Sequence, residues 1–498
     1  MPNRTSEVLI RSHFSENSFV QPDIDSFNNF IEKELLKIVE ENALIEPTII
    51  PANVEDFKIR LDKIRVDTPK IVEADGSEMK IFPTEARIRK LTYAAPVYLS
   101  ISSHINGVQR ETFETQIASL PIMLKSNHCN LKGMNHAELI EKGEDPNDPG
   151  GYFIVGGTEK ILVKIEDLAS NRLLVSENSI GPSPLSGRIF SERESFKIPH
   201  SIERLKDGIY YLSFTRVKRV PLFAFFKALG MDDDQEIMQL IAGNEQWEEI
   251  MLNQLEVASI ENVDEAIEYI AKKAGMTQSR DIRIERVNEL LDRYLLVHLG
   301  VDFESRREKA INLAKYLRKF ILVERGRLPV DDKDHLMNKR IKLSEELLGD
   351  LFRVNLRILI NDLLYNFQRV VKKGKFPSLK SIMREKLLTQ RINSAMATGN
   401  WVGSRKGVAQ RMQRWNYIES LSHLQRVVSP LSAAQENFDA RELHATHLGR
   451  LDPIETPEGS PIGLKKNLSL IASVSNDAQT SDDELIQQLS GYGLKKVK

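Results

Sequence analysis

The residues best suited to chemistry form a cationic stretch between positions 401 and 426. Five basic side chains oppose a single acidic one there, whereas the whole chain carries a formal net charge of −2. The basic residues are Arg405, Lys406, Arg411, Arg414 and Arg426. Positive charge concentrated in this way attracts a polyanion. The stretch is therefore a candidate surface for contacting nucleic-acid phosphates.

The segment that follows, HATHLGRLDPIETPEGSPIGLKKN, mixes glycine and proline with charged residues. This composition predicts a rigid loop framework rather than a helix or a plain strand. His444 and His447 could form a zinc pair, but no third ligand is nearby, so packing or hydrogen bonding is favoured. Glu455 and Glu458 form either an acid pair or, as we favour, braces for neighbouring arginines.

A second candidate site lies in mid-chain, where three carboxylates and one histidine occur within the five residues from Asp331 to His335. Hard cations favour carboxylate oxygens, and such groups also serve in acid–base chemistry. Consecutive positions converge poorly on one point, however, and Lys333 interrupts them. We favour a structural role in which the aspartates cap the next helix and pair with Lys339 or Arg340.

A glycine-rich segment, GEDPNDPGGYFIVGGTEK, spans residues 143–160. A phosphate-binding loop would show G-x-x-x-x-G-K-[ST], or G-x-G-x-x-G opening a helix, and neither pattern occurs. The glycines are instead predicted to allow tight turns between short apolar strands.

A basic run precedes the cationic stretch, with Glu385 as its one opposing acid. Its members are Arg369, Lys372, Lys373, Lys375, Lys380, Arg384, Lys386 and Arg391. Such a run is usually a solvated face, but its continuity with the cationic stretch favours nucleic acid. Lys372 and Lys373, with Lys339 and Arg340, are assigned to a secondary basic surface.

Hydrophobic periodicity indicates the elements that position these residues. Apolar residues recur at helical spacing in 24–41, in several segments of 221–325 and in 347–363. Alternating residues predict strands near 57–61, 97–101 and 210–214, and Asn106-Gly107 is a hairpin turn signal. The sequence therefore predicts a multidomain α+β protein with a strand-rich part, a mostly helical part and an irregular region.

Length and composition limit the class of protein. A chain of 498 residues is too long for one core and should form two to four domains. One cysteine, Cys129, allows neither an internal disulfide framework nor a cysteine-built zinc site, which indicates a reducing compartment. No apolar run approaches a membrane span and no leader-like segment is present, so we expect a soluble, cytoplasmic protein with no membrane contact.

The motifs occur in an order that resembles one family. Along the chain they read LPIMLKS, GED-x-x-DPGGYFIV-x-G-x-EK, DDKDH-x-x-x-KR, GNW-x-x-x-RKGVAQ, SHL-x-R and REL-x-x-THLGR-x-x-PIETPEG-x-x-IGL-x-KNLSL. This order is similar to the N-terminal half of the second-largest subunit of multisubunit DNA-directed RNA polymerases, and most of all to the archaeal form in which that subunit is split between two genes. The start at Met1 and a coherent tail lead us to expect a gene split rather than a fragment.

The resemblance implies a layout of five segments. It assigns residues 1–185 to the first part of a protrusion, 186–335 to a lobe, 336–400 to a returning protrusion segment, 401–475 to a fork, and 476–498 to the start of an external region with the tail. In this family the protrusion and lobe form one wall of the DNA cleft, and the fork lies near the RNA–DNA hybrid.

The resemblance also implies a function. The chain would support template-directed RNA synthesis from the four ribonucleoside triphosphates as part of the assembled polymerase, and would be inactive alone. Fork residues expected to contact or brace nucleic acid are Arg405, Lys406, Arg411, Arg414, Arg426, Arg441, Arg450 and Glu458. The residues 403–407 and 429–439 would match the two fork loops of the family.

The implied partners are the polypeptide carrying the C-terminal half of the subunit, the largest polymerase subunits, the smaller assembly subunits, template and non-template DNA, and nascent RNA. No catalytic residue, metal ligand or cofactor is expected in this chain. The family uses two magnesium ions held chiefly by the largest subunit.

Two other classes of protein remain open at this point. One is a stand-alone metal-dependent phosphotransferase or nuclease that uses the residues from Asp331 to His335. The other is a non-enzymatic nucleic-acid scaffold, which would bind strongly and in a salt-dependent way as a lone chain.

Overall fold

The computed structural model describes residues 6–9, 11–12, 19–50, 54–73, 75–178, 181–194, 196–231, 233–243, 245, 247–260, 262–475 and 482–493. Of the predicted tail, 476–498, residues 476–481 and 494–498 lie outside the described residues. The chain divides into two compact units. The first unit combines Met1–Glu166 with Ile341–Lys498, and the second is Asp167–Arg340.

Helices and strands are mixed throughout the chain, which confirms the predicted α+β class. The strands are β1 (Leu44–Ile45), β2 (Phe57–Val66), β3 (Lys70–Val72), β4 (Glu78–Lys80), β5 (Ala94–Ile105), β6 (Val108–Pro121), β7 (Phe153–Val155), β8 (Thr158–Leu162), β9 (Lys164–Leu168), β10 (Leu173–Glu177), β11 (Leu185–Arg193), β12 (Phe196–Arg204), β13 (Tyr210–Phe214), β14 (Val217–Pro221), β15 (Lys339–Lys342), β16 (Ala409–Arg411), β17 (Arg426–Val428) and β18 (Lys465–Asn467). The helices are α1 (Gln21–Asn29), α2 (Leu35–Glu41), α3 (Pro83–Ile88), α4 (His136–Glu141), α5 (Leu222–Ala228), α6 (Asp234–Ala242), α7 (Glu248–Glu256), α8 (Val263–Lys273), α9 (Arg280–Arg293), α10 (Arg306–Glu324), α11 (Ser344–Val371), α12 (Leu379–Ile382), α13 (Glu385–Thr398), α14 (Tyr417–Leu424), α15 (Phe438–Arg441) and α16 (Asp482–Gly491).

The main sheet of the first unit is antiparallel, with strand order β1-β2-β5-β6. The predicted alternation in β2 is confirmed, since Phe57, Ile59 and Leu61 are buried in the core. The predicted hairpin turn is confirmed as well: Asn106 and Gly107 join β5 to β6 with φ of 48° and 79°. Positive φ at both central residues matches the twist of the two strands.

Helices from both parts of the first unit pack on this sheet. The ring of Phe57 stacks on Phe367 of α11 with 4.8 Å between centroids, and Phe30 meets Phe352 of α11 edge-on at 6.5 Å. A π-helical turn, Phe30–Glu34, joins α1 to α2. The returning segment after residue 340 therefore completes the core begun by the N-terminal segment.

Three smaller sheets contain the other strands of the first unit, and their strands β9 and β15 run across the two points at which the chain divides. Their strand orders are β16-β8-β7, β15-β9-β17-β18 and β3-β4. The first two join the segment around 153–168 to the segment after residue 409, so they carry the region expected to be the fork.

The second unit combines a five-stranded antiparallel sheet, β10 to β14 in order, with the helices α5 to α10. Its own core includes Phe226, Ile241, Ile270 and Leu291. The mostly helical prediction for 221–325 is confirmed. The five predicted segments stay predictions, because the structure divides the chain only after Glu166 and after Arg340.

None of the helices in the described part of the chain is both long and apolar enough to cross a membrane.

Candidate nucleic-acid interface

The cationic stretch is held by strands at both ends. The indole N–H of Trp401 donates to the carbonyl of Leu347 at 2.7 Å, which attaches the stretch to α11. β16 then pairs antiparallel with β8, and β17 pairs parallel with β9 and antiparallel with β18. Between these strands, α14 begins after Asn416, whose side-chain oxygen accepts the N–H of Glu419 at 2.7 Å. The basic side chains therefore project from a fixed framework.

Several of the predicted basic residues lie on the surface. Lys406, Arg411 and Arg450 are exposed, and Arg405 is half-buried. Arg450 donates to the carbonyl of Thr446 at 3.1 Å. Among the described residues, no carboxylate forms an ion pair with Lys406, Arg411 or Arg450. These three side chains can thus offer their charge to an external anion.

Arg414 has internal partners instead. Its Nε donates to Glu159 Oε2 at 2.8 Å, and its Nη2 donates to Asp148 Oδ2 at 2.8 Å. Partial burial lowers the pKa of Arg414, but the hydrogen bond to Glu159 and the nearby Asp148 carboxylate more than offset this, so the pKa lies above its ordinary value. The guanidinium is charged and matched by two carboxylates.

Arg441 joins two loops through their main chains. Its Nη1 donates to the carbonyls of Ser460 and Ile462 at 2.6 and 3.0 Å. Its Nη2 donates to the carbonyls of Ala433 and Gln435 at 2.9 and 3.1 Å. A guanidinium presents several donors in a fixed plane, which suits this fourfold arrangement. Arg441 thus locks the loop expected to be the second fork loop against the PIETPEG segment.

Arg426 lies beside a buried histidine. It donates to Gln413 Oε1 at 3.3 Å and to Glu419 Oε1 at 3.5 Å. His423 Nδ1 accepts the main-chain N–H of Gln413 at 3.2 Å. Burial, followed by the positive charges of Arg426 and Lys465, lowers the pKa of His423 to about 4. The imidazole is therefore neutral in the folded protein at neutral pH.

The PIETPEG segment is a rigid loop, as predicted. Asp452 Oδ1 accepts the N–H groups of Ile454 and Glu455 at 2.8 and 3.0 Å. The hydroxyl of Thr456 donates to the carbonyl of Lys465 at 3.0 Å and accepts the N–H of Gly463 at 2.9 Å. Glu455 accepts a hydrogen bond from the Ser422 hydroxyl, not from an arginine as we expected. Glu458 is exposed.

The histidines of this region have local partners. His447 Nδ1 accepts the main-chain N–H of His444 at 3.3 Å, and His444 Nδ1 lies 2.7 Å from Thr446 Oγ1. In the described ranges, no group of three or more His, Cys, Asp or Glu side chains is arranged to hold a metal ion. The favoured hydrogen-bonding role of the two histidines agrees with this geometry.

Comparison with known proteins adds to these observations. Residues 18–392 match the family described as RNA polymerase beta subunit, and residues 410–474 match RNA polymerase Rpb2, domain 3. The Rpo2N subunit of DNA-directed RNA polymerase from Methanocaldococcus jannaschii is 40% identical over 495 residues, which cover 98% of each chain.

The chain belongs to the RNA polymerase beta subunit family.

Two further relatives show how family members differ in length. The Rpo2 subunit of Saccharolobus solfataricus is 42% identical over 470 residues, which are 94% of this chain but only 41% of that protein. The Rpo2N subunit of Halobacterium salinarum is 38% identical over 501 residues, covering 98% of this chain and 96% of that protein. This polymerase chain thus spans about two fifths of the length of the longer relative.

The aspartates between Asp331 and Asp334 form hydrogen bonds and ion pairs within the chain. Asp331 Oδ2 accepts the N–H of Val175 at 2.8 Å and Lys319 Nζ at 2.6 Å, and Asp334 pairs with Lys339 at 3.1 Å. The pairing with Lys339 confirms one part of the favoured interpretation. The predicted capping by aspartates is wrong, because the next helical turn, Leu336–Asn338, is capped by the side chain of His335. Because each carboxylate is directed at a different partner, the arrangement does not support a phosphotransferase or nuclease site.

The predicted secondary basic surface is only partly at the surface of this polymerase chain. The side chain of Lys339 is just 7% exposed and is paired with Asp334, so its assignment to an open surface was wrong. Arg340 is exposed but donates to the carbonyls of Met337 and Lys339. Lys372 and Lys373 are exposed directly after α11.

The sequence reasoning missed a set of exposed apolar side chains in the last part of the polymerase chain. These are Trp415, Tyr417, Ile418, Leu431, Phe438, Leu443, Leu448, Ile454, Ile462, Leu470 and Ile471. A concentration of exposed apolar side chains often marks a surface that binds another protein. Part of the signal was present as the apolar residues Leu448, Ile454 and Ile462, in the segment that we attributed to loop structure alone.

Proposed function

We propose that this chain is a nucleic-acid-facing, non-catalytic subunit of a DNA-dependent RNA polymerase. In the assembled enzyme it supports template-directed synthesis of RNA from the four ribonucleoside triphosphates. The observation that carries the proposal is the set of exposed cations, Lys406, Arg411 and Arg450, on a framework braced from within, in a chain that belongs to the beta subunit family. Phosphate contacts of this kind position a nucleic acid without reading its sequence.

The division into protrusion, lobe and fork is part of the proposal. The first unit would supply the protrusion and the fork, and the second unit the lobe. Support comes from the way the first unit is built, because its core unites the N-terminal segment with the segment after residue 340. Together these regions would form one wall of the DNA cleft.

The expected fork residues have different roles in this proposal. Lys406, Arg411 and Arg450, with half-buried Arg405, contact phosphates. Arg426 contributes from the edge of α14. Arg414 and Arg441 act as internal braces, because carboxylates or main-chain carbonyls surround their guanidinium groups. Glu458 stands on the exposed PIETPEG loop, close to the reaction centre.

The catalytic metals belong to another chain in this proposal. The described residues present no cluster suited to a cation, so no step of nucleotidyl transfer is assigned to side chains of this subunit. Magnesium would be held by the largest subunit. The exposed fork residues would hold the hybrid while that subunit performs the reaction.

The proposed protein partners rest on the relatives and on the exposed apolar surface. A relative that continues well beyond the matched region, and another that ends with it, favour a separate polypeptide supplying the second half here. The exposed apolar side chains between 415 and 471 would pack against that polypeptide and the largest subunits. Smaller assembly subunits, template and non-template DNA and nascent RNA complete the list, and the proposed location of the complex is the cytoplasm.

Salt dependence tests the phosphate contacts. The affinity of the assembled polymerase for a DNA–RNA scaffold would be measured against salt concentration for Lys406→Gln with Arg411→Gln. The slope of log affinity against log salt should become shallower by about 0.7 to 0.9 for each lost contact. A control pair, Lys33→Gln with Lys37→Gln, removes two exposed charges of α2 and its preceding turn. Equal slopes for the two pairs would refute the proposed contacts.

A further inference from the structure

The glycine-rich segment at 143–160 has no role in the function proposed so far, yet its acidic residues converge on the cationic stretch. Asp148 and Glu159 both lie within 2.8 Å of the Arg414 guanidinium. Gly150 has φ of +75°, and a β-carbon there would lie 2.8 Å from the carbonyl of Leu124. Glycine is therefore required for the turn that brings Asp148 into place.

The contacts around Arg414 form a closed ring. Glu159 Oε1 also accepts Arg87 Nε at 2.9 Å, and Arg87 Nη2 donates to the hydroxyl of Tyr152 at 2.7 Å. That hydroxyl donates in turn to Asp148 Oδ2 at 2.9 Å, which closes the ring at Arg414. Burial, followed by the charge of Asp148, raises the pKa of Tyr152, so the phenol keeps its proton. Every member of the ring thus has a defined donor or acceptor role.

Glu159 holds the segment 411–414 through its main chain as well. Its carbonyl accepts the N–H of Met412 at 3.0 Å, and the neighbouring Lys160 lies opposite Arg411 in the strand pair. Met412 is buried while Arg411 is exposed. One residue of β8, Glu159, therefore fixes both the main chain at 412 and the side chain at 414, directly after the exposed Arg411.

Gln413 connects the segment 411–414 to α14 and β17 by hydrogen bonds. Its N–H donates to His423 Nδ1 at 3.2 Å, and its carbonyl accepts the hydroxyl of Ser420 at 3.1 Å. Its side-chain carbonyl accepts Arg426 Nη1 at 3.3 Å. The segment that the ring fixes is thus in direct contact with a second candidate phosphate ligand.

We propose that Asp148 and Glu159 are positioning residues that act through Arg414, holding the segment 411–414 so that Arg411 and Arg426 face the nucleic-acid backbone. This inference rests on the proposed function, because it assigns the ring a part in holding nucleic acid. The competing explanation is that Arg414 is itself a phosphate contact, since 38% of its side chain is exposed.

The two explanations predict opposite effects of Asp148→Asn in the assembled polymerase. If Arg414 contacted phosphate, removing a competing carboxylate would tighten scaffold binding and steepen its salt dependence. If Asp148 positions Arg414, the variant weakens scaffold binding as Arg414→Gln does. The salt slope stays unchanged, because Arg411 and Arg426 still contact phosphate in the complex but must be ordered on binding. The double variant should then lose no more affinity than the more severe single variant, because both changes break the same ring.

Two control variants show how large the changes in scaffold affinity and salt slope should be. Asp145→Asn removes an exposed carboxylate of the same loop that lies outside the ring, and should leave scaffold affinity unchanged. Arg411→Gln removes a proposed phosphate contact and should lower the salt slope by about 0.7 to 0.9. A positioning role is overturned if Asp148→Asn tightens binding, if Arg414→Gln lowers the slope as Arg411→Gln does, or if the Asp148 and Arg414 effects add independently.

A measurement on the full chain before assembly tests the anchoring role of the ring independently of the proposed phosphate contacts. Trp247 and Trp401 are buried, whereas Trp415 beside Arg414 is 85% exposed, so Trp415 dominates the iodide-quenchable fluorescence. Asp148→Asn and Arg414→Gln should both lower the anisotropy of that fraction, and Arg414→Lys should restore part of it. Unchanged anisotropy would refute the ring as an anchor, whatever Arg411→Gln does. An unchanged salt slope in Arg411→Gln, with lowered anisotropy in the ring variants, would instead refute the phosphate contact.

Discussion

A β-carbon placed on Gly463 would lie 2.2 Å from the carbonyl oxygen of Arg441. The two main chains meet here, and the Arg441 guanidinium also donates to the carbonyls of Ser460 and Ile462. Gly463 also has φ of +72°, a backbone conformation that residues other than glycine rarely adopt. Gly463, which follows the PIETPEG loop, is therefore part of the brace that Arg441 forms.

Gly463→Ala should destabilise the first unit. The added methyl group meets main-chain atoms that have no rotamer to change, and positive φ alone costs about 1 to 2 kcal/mol. Denaturant unfolding of the full chain would measure the loss. Gly459→Ala is the matched control, because its φ is +82° but a β-carbon there meets nothing within 4 Å. Equal losses for the two variants would contradict the close approach at Gly463.

Arg441→Lys should loosen both loops that the guanidinium joins. A lysine ammonium carries its donors on one nitrogen and cannot replace a planar guanidinium that donates to four carbonyls. At least two hydrogen bonds are therefore lost, at about 1 kcal/mol each. Limited proteolysis between residues 430 and 463 would detect the change. Arg450→Lys should have little effect, since Arg450 makes one main-chain contact. Resistance to protease equal to that of the unchanged chain would argue against the brace.

The stability of the chain should fall as pH drops from about 6.5 to about 4. His423 has its pKa lowered to about 4 in the fold, first by burial, while the unfolded chain titrates near the ordinary value of about 6.5. Within that window the unfolded state binds a proton that the folded state does not, so the free energy of unfolding decreases by at most about 3 kcal/mol. Above the window this histidine contributes no pH dependence.

His423→Gln isolates this effect from other titrating groups. His200, in the second unit, also has its pKa lowered to about 4 by burial, so the unmodified chain should show both contributions. Subtracting the pH profile of His423→Gln should leave a slope confined to the same window. A difference profile that is flat between pH 6.5 and 4 would show that His423 is not held neutral.

The residues from Asp331 to His335 allow a test of the alternative function, a metal-dependent phosphotransferase or nuclease. Asp334→Ala should leave Lys339 buried without its paired carboxylate and lower the stability of the second unit by about 1 to 3 kcal/mol. Calorimetry with Mg²⁺ or Mn²⁺ should show no binding to the unmodified chain or to the variant. Heat of binding that disappears in Asp334→Ala would revive a metal-dependent site.

Periodicity accounts for the parts of the fold that the sequence predicts well. Phe57, Ile59 and Leu61 alternate, and their burial on one face of β2 follows from the strand period alone. The 28 residues of α11 follow from the helical spacing of Leu347, Leu351 and Leu363. Each of these patterns lies within one helix or strand, so it can be recognised in a single sequence.

The roles of the arginines could not be predicted in the same way. Arg411 and Arg414 are three positions apart in one basic stretch, yet Arg411 is exposed and Arg414 lies between Asp148 and Glu159. Those carboxylates come from a segment more than 250 residues earlier, and only the pairing of β8 with β16 brings them close. Lys339 was misassigned for a different reason: its pairing with the nearby Asp334 was expected, but charge alone does not show that a side chain is buried.

Reconstitution of the polymerase tests the central claim most directly. RNA synthesis from a primed scaffold would be measured for the complete set of subunits, for the set without this chain, and for this chain alone. The account predicts synthesis only when the chain joins the others, and none from the chain alone because the proposed function assigns the catalytic metals to another chain. Full activity without this chain, or nucleotide incorporation by the purified chain alone, would contradict it.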